Sequence, residues 1–416
     1  MVFASPLLYL AAILLGIAAG ALTGITPGLH INLIAASIAT NALAFPTLLE
    51  NYSQVLAMFV ISMAITHTFL DFIPAVLLGA PEEDSFLSIL PGHKMLLEGK
   101  AFDAIATTLA GSLAALPIIL FISLLASFTL KKFYFALVSI IPFALIFISA
   151  FMLLREENFF NGLVVFSLSA FLGIATLKLP IREPLLPLLT GLFGISALAL
   201  SAARKETIPK QKIPTKRELL SKEFAKNAFP SGRELFKSLG SASVSAPLCA
   251  FLPGIGSSHA AILASELTNQ RKPKTFLFLL GAINTIVMGL SFAALYAIDR
   301  ARTGAAVAVR ALVDKLTFSQ FLALLSVSIA SGLLAFVVGI AVSRQAIKLL
   351  NKMNYNKLSI AIIAILVALT FLLSGTQGLL VLAVASSVGI YAISSRVRRV
   401  QLMGALLAPA IIFYLF

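Results

Sequence analysis

The chain has 416 residues, 59% of them hydrophobic and 12% charged, with a formal net charge of +14 and a mean hydropathy of +1.01. Soluble domains carry about 25% charged residues, so most of this chain must face something other than water, and a soluble globular protein is excluded. The lysines and arginines sit in short loops between apolar runs and in one central block, a pattern of membrane topology rather than of nucleic-acid binding, and the single cysteine, Cys249, excludes a disulfide framework within the chain.

In chain order, the N-terminus MVFASPLLYL lacks a basic n-region, so the first apolar run, 5–23, is expected to stay as a membrane segment. Further apolar segments lie near 28–47, 53–80, 101–130, 133–154, 159–178 and 183–203. The stretch from Arg204 to Lys237 holds ten Lys/Arg and four Asp/Glu, with Pro209, Pro214 and Pro230, and reads as a linker with one surface helix, Lys216–Lys226. Apolar segments resume near 238–264, 276–297, 303–313, 318–343, 358–374, 376–394 and 400–416.

The two sets of segments match in order and length, which predicts an internal repeat. Thr26-Pro27-Gly28-Leu29 corresponds to Leu252-Pro253-Gly254-Ile255, an offset of 226 residues (253 − 27). Asn161-Gly162 and Gly173-Ile174 correspond to Gln377-Gly378 and Gly389-Ile390 at an offset of 216 (378 − 162), and Thr66-His67-Thr68 faces Ile283-Asn284-Thr285 between them. The basic linker is expected in the cytoplasm. Lys131, Lys132, Lys178 and Arg182 then fall outside. Their second-half counterparts, Arg344, Lys348, Lys352, Lys357, Arg396, Arg398 and Arg399, are the larger basic set and fall inside. Equivalent loops on opposite faces define an inverted repeat.

The paired Pro-Gly motifs are the main candidate site. Proline removes a backbone donor and glycine permits left-handed geometry. A helix broken inside a bilayer is tolerated only where protein or a water-filled cavity meets the freed backbone groups. The half-helix after the break points a positive N-terminus inward, an anion-binding device. Substrate-binding candidates are therefore Thr26, Pro27, Gly28, His30 and Asn32 in the first motif, and Pro253, Gly254, Gly256, Ser257, Ser258 and His259 in the second. The plain alternative for either motif is a kinked helix or a tight interhelical turn.

His67 and Asp71 lie four residues apart in a long apolar segment and share a helix face. Ionisable groups at membrane depth mark pathways and proton relays. His67, Thr68, Asp71, Asn284 and Thr285 are thus ion-coupling candidates, against the reading that His67 merely donates to a carbonyl and Asp71 lies at an interface. Glu82-Glu83-Asp84 reads as a cation site or as a solvated turn, and Arg300, Arg302 and Arg310 as cavity-facing or as solvated loop residues. The sequence has no HExxH, GxSxG, Walker or CxxC pattern, so neither catalytic nor metal-ligating residues are assigned.

At these residues the chain resembles the large permease subunit (TctA) of tripartite tricarboxylate transporters, in a compact archaeal-type branch. Three stretches carry the likeness: Gly20-x3-Gly24-x2-Pro27-Gly28-Leu29; Val76-Leu-Leu-Gly-Ala-Pro81 followed by Leu90-Pro91-Gly92-His93-Lys94-Met95-x3-Gly99-Lys100-Ala101; and Pro253-Gly254-Ile-Gly256-Ser257-Ser258-x-Ala260. The chain departs from the family pattern at His30, Asn32, Pro91 and Glu82-Glu83. The resemblance implies a carboxylate substrate, ion-driven uptake and two partners, a small membrane subunit and an extracytoplasmic binding protein.

The sequence thus predicts an all-α integral membrane protein with ten to fourteen transmembrane or re-entrant helices in two inverted repeats, residues 1–203 and 238–416, joined by a basic cytoplasmic linker, 204–237. It predicts a secondary active permease of the cell membrane for an organic anion, a carboxylate, coupled to H+ or Na+. No cofactor is expected beyond Na+ as coupling ion, and the expected partners are the lipid bilayer, the small anion and a second copy in a homodimer. The alternatives are a translocase for a polyprenyl-phosphate or other lipid-linked phosphate, and a membrane-embedded enzyme.

Overall fold

The computed structural model describes residues 5–416 except 27–30, 32–33, 36–37, 39–45, 80–86, 88, 204–207, 252–256, 270–271 and 314. Backbone groups in hydrocarbon must be satisfied within their own segment or a closed barrel, and the described residues contain helices and no strand. The first half comprises α1 (Pro6–Ile25), α2 (Pro46–Leu70), α3 (Phe72–Leu78), α4 (Ile89–Leu97), α5 (Ala101–Leu154), α6 (Phe159–Lys178) and α7 (Leu185–Ala203), with a π-helical turn at Thr190–Ile195 inside α7. The linker carries α8 (Lys216–Leu219) and α9 (Lys222–Ala228). The second half comprises α10 (Gly232–Phe251), α11 (Ser257–Thr268), α12 (Pro273–Ile298), α13 (Gly304–Leu312), α14 (Phe318–Leu350), α15 (Tyr355–Ser394), a 3-10 turn at Arg399–Met403 and α16 (Gly404–Leu415).

Among the described residues eight helices are long and apolar enough to cross a membrane, and two shorter apolar ones, Val138–Leu154 and Arg399–Leu415, bring the set to the lower end of the expected range. Three sequence expectations change. The linker helix expected at Lys216–Lys226 is two short helices, because Ser221 accepts a hydrogen bond from Phe224 N and caps a new start. The segment near 303–313 is a nine-residue helix, α13, too short to span. The segment 238–264 is divided between α10 and α11.

Two long helices contain double crossings. At about 1.5 Å per residue, the 54 residues of α5 would extend about 81 Å if straight. Contacts keep its ends much closer: Phe102 packs on Phe224, Lys274 donates to Lys226 O, and Arg155 donates to Asn269. The helix therefore turns back between its apolar stretches, Ala101–Ala136 and Val138–Leu154. In α15 the break is at Gly375, whose φ of +66° suits glycine.

Helices α2 and α12 are the innermost, with 83% and 94% of their apolar windows buried. Each packs on the first helix of its own half (α2 on α1, α12 on α10) and on a long helix of the other half (α2 on α14, α12 on α5). Small residues permit this closeness, as is usual between membrane helices. A Cβ at Gly16 would lie 2.5 Å from Phe59 O, and one at Gly24 2.9 Å from Leu70 Cβ. The matching buried face of α10 carries Ala242, Ala246 and Ala250, each 226 residues after Gly16, Gly20 and Gly24.

The linker is strapped to both halves through Gln211, which is buried. Its amide donates to Leu96 O and accepts from Ala101 N at 3.0 Å, capping α5. Its backbone exchanges two hydrogen bonds with the Asn351 side chain, at 2.8 and 2.9 Å, where α14 ends. The start of α5 and the end of α14 thus meet on the linker side. Farther along, a Cβ at Gly339 would touch the Leu109 side chain and one at Gly332 that of Leu116, so the two helices run antiparallel.

Candidate functional site

The two central helices meet in a buried polar seam. Thr68 Oγ1 lies 3.3 Å from Thr285 Oγ1, and Asn284 Nδ2 donates to Asp71 Oδ2 at 2.8 Å. All four side chains are almost wholly buried. Thr285 stands at the middle of α12, a helix of 26 residues and about 39 Å, so the contact lies near the centre of the span. Asp71 terminates α2, its N–H bonded to His67 O, and α3 continues beyond it.

His67 faces a different neighbour. Its Nδ1 lies 3.0 Å from Thr23 Oγ1 on α1, and the Thr23 hydroxyl also donates to Gly20 O. A hydroxyl has one proton. With that proton on Gly20 O, the Thr23 oxygen turns a lone pair to His67 Nδ1. His67 and Asp71 share a helix face, as their spacing predicts, yet they join α2 to two different helices.

The ion-coupling candidates lie together here, Thr68, Asp71, Asn284 and Thr285 in the contact between α2 and α12, and His67 beside it on the α1 side of α2. Of the substrate-binding candidates, Ser257, Ser258 and His259 are buried at the start of α11. Thr26 follows the end of α1, exposed, with its hydroxyl on Leu22 O. Pro27, Gly28, His30, Asn32, Pro253, Gly254 and Gly256 lie outside the described residues, as does Glu82-Glu83-Asp84. Arg302 is half-buried and binds the Tyr134 hydroxyl at 2.8 Å, whereas Arg310, on α13, pairs with Asp299 in the open. Among the described residues no group of three or more His, Cys, Asp or Glu is placed to hold a metal.

Sequence reading missed an ionic network on the linker side. Glu266, near the end of α11, binds Arg155 and Arg398, both at 3.0 Å. Arg398 also binds Glu156 at 3.1 Å, and Gln401 donates to the same carboxylate at 2.9 Å. The network ties α11 to the end of α5 and to the turn before α16. Its members come from three distant segments, so no local spacing announces them. Thr23 was missed as well, although its place one turn before Pro27 on the small-residue face of α1 was a usable signal. At the base of α10, a hydrogen bond from Lys272 holds the Glu234 carboxyl below the usual carboxylate range.

These features define a multi-pass helical membrane protein whose two innermost helices share a polar seam at mid-span. The chain belongs to the Tripartite tricarboxylate transporter TctA family, which it matches over residues 10–404. A relative in Methanocaldococcus jannaschii, an uncharacterized protein, is 30% identical over 422 aligned positions, spanning 98% of this chain and 99% of its own length. No solved structure matches.

Proposed function

We propose that this protein is a secondary active permease for an organic carboxylate, which binds between the two Pro-Gly motifs and moves with H+ or Na+ through the seam of His67, Thr68, Asp71, Asn284 and Thr285. The observation that carries the reading is the contact between Thr68 and Thr285. The two residues are 217 positions apart (285 − 68), close to the repeat offset, and they touch at mid-span. A residue touching its own counterpart sits on the axis relating two halves, where repeat-built transporters place their sites. Asp71 supplies a carboxylate able to take a proton or to bind Na+ with nearby hydroxyl oxygens.

Three further observations support inverted halves, 1–203 and 238–416, about the linker 204–237. The sequence-equivalent helices α5 and α14 run antiparallel, as inversion requires. The buried small faces of α1 and α10 correspond at a constant 226 residues. In the outer bundle, a Cβ at Gly404 would lie 2.5 Å from Phe166 O and one at Gly191 2.8 Å from Leu382 O, with Phe166 and Leu382 again 216 apart (382 − 166). Each pair crosses from one half to the other.

The family supports tricarboxylates as the first substrates to test, and its tripartite organisation supports two partners at the cell membrane, a small membrane subunit and an extracytoplasmic binding protein. The test is uptake of citrate, succinate and phosphate into proteoliposomes under imposed Na+ or proton gradients. Gradient-stimulated uptake of a carboxylate is expected. Folded protein that moves none of the carboxylates would overturn the reading.

A further inference from the structure

Arg399 is the one arginine among the described residues that is buried as a whole side chain. It is 7% exposed, at the start of the 3-10 turn before α16, and its side chain reaches into the outer helical bundle. Its partners are Ser196 Oγ at 3.1 Å and Phe193 O at 3.4 Å, both on α7. Its Nε–H is buried with no hydrogen-bond partner. No carboxylate among the described residues pairs with it, whereas the adjacent Arg398 binds both Glu156 and Glu266.

A guanidinium has five N–H donors in a rigid fork, suited to two oxygens of one carboxylate or phosphate. A buried charge with neither counter-charge nor full hydrogen bonding is strongly unfavourable, and a buried arginine in a membrane protein marks a site by default. The surroundings add two observations. Phe193 lies in the π-helical turn Thr190–Ile195, a local irregularity that recurs at functional sites. Thr190 Oγ1, which opens that turn, is also buried without a partner. Ser196 is seven residues from the end of α7, about 10 Å along the helix, on the side where the chain enters the linker. Helices α7 and α15 share their own apolar cluster of Ile195, Leu198, Ile362, Leu366 and Leu382, separate from the core around the seam.

We propose that Arg399 is an oxyanion-binding residue. The unpartnered Nε edge of the guanidinium, beside the π turn of α7, binds one carboxylate or phosphate group that arrives from the linker side. This site is distinct from the Thr68–Thr285 seam. A soluble anion and an anionic lipid headgroup present the same chemistry, and the experiment separates them.

The test measures equilibrium binding to the purified full-length chain. Citrate and inorganic phosphate are the soluble probes, with chloride at matched ionic strength. Phosphatidylglycerol retention in nanodiscs is the lipid probe. Loss of a charge-assisted hydrogen bond pair predicts binding about tenfold to a hundredfold weaker in Arg399→Met, with Arg399→Lys intermediate because it keeps charge and loses the fork. Loss with citrate or phosphate identifies a soluble anion, and loss confined to phosphatidylglycerol identifies a headgroup. Wild-type affinity of Arg399→Met for all three probes, or no binding of any probe by the wild type, overturns the proposal. If Arg399→Met fails to fold, Arg399→Lys decides: weakened binding supports the site and unchanged binding removes it. Transport plays no part in the readout, so a failure of the permease reading leaves this result standing.

Discussion

Gly281 and Gly289 lie two turns apart on the same face of α12, and replacing each by alanine should have unequal consequences. A methyl at Gly281 would land on the carbonyl oxygen of Thr108, with the carbonyl carbon at 2.9 Å. The carbonyl oxygen is nearer still and sets the limit, so α5 and α12 would have to part by about 1 Å. The obstacle is backbone and cannot rotate away. Overpacking of this kind costs about 1–3 kcal/mol, and separation also weakens the bond from Ser112 Oγ to Gly281 O, now 3.1 Å, worth about 1 kcal/mol. The better helix propensity of alanine returns about 1 kcal/mol, leaving a net loss of about 1–3 kcal/mol. At Gly289 the nearest atoms are the Ile119 side-chain carbons at 2.7, 2.8 and 3.0 Å. That side chain can change rotamer, so the propensity gain offsets the crowding and the net effect is within about 1 kcal/mol. Because Asn284 and Thr285 follow Gly281 by one turn, Gly281→Ala should also slow transport. The assay is thermal inactivation of the purified protein in detergent, read beside uptake. Gly281→Ala matching or exceeding the wild type in stability, with Gly289→Ala the weaker of the two, would refute the packing argument.

Two other substitutions probe the frame around the seam. Gln211→Ala removes the cap on Ala101 N and a donor to Leu96 O; a cost of about 1–3 kcal/mol is expected, visible as faster proteolysis of the linker at low protease concentration. Thr23→Val keeps the shape of α1 and removes the hydroxyl that meets His67 Nδ1; loss of this buried contact should cost about 1–3 kcal/mol, read as faster thermal inactivation of the purified protein in detergent.

How much of this was legible beforehand varies from one element to the next. The spans follow from apolar runs, because a bilayer demands them. The seam was legible because His67, Asp71 and Asn284 are polar residues in otherwise apolar stretches, where each must find a partner. That Asp71 meets Asn284 while His67 meets Thr23 was not legible, since helix rotation and crossing decide it. The turn within α5 has no proline or glycine between Ala136 and Val138 to announce it, whereas Gly375 stands at the break in α15. Gln211 sits in a polar stretch that reads as solvated, and only the fold shows it buried. Arg399 reads as one of a pair of topology-setting arginines; what separates it from Arg398 is that Glu156 and Glu266 come from distant segments and reach only one of the two.

The central claim is that the seam couples an ion to a carboxylate. Asp71→Asn tests it most directly, because it keeps an oxygen able to accept from Asn284 Nδ2 at 2.8 Å and removes the titratable charge. Uptake of citrate by this variant should be measured in proteoliposomes in two modes, driven by an Na+ or proton gradient and by exchange against internal citrate without any gradient. Loss of gradient-driven accumulation with exchange retained is the predicted result. Accumulation equal to that of the wild type under the same gradients would contradict the account.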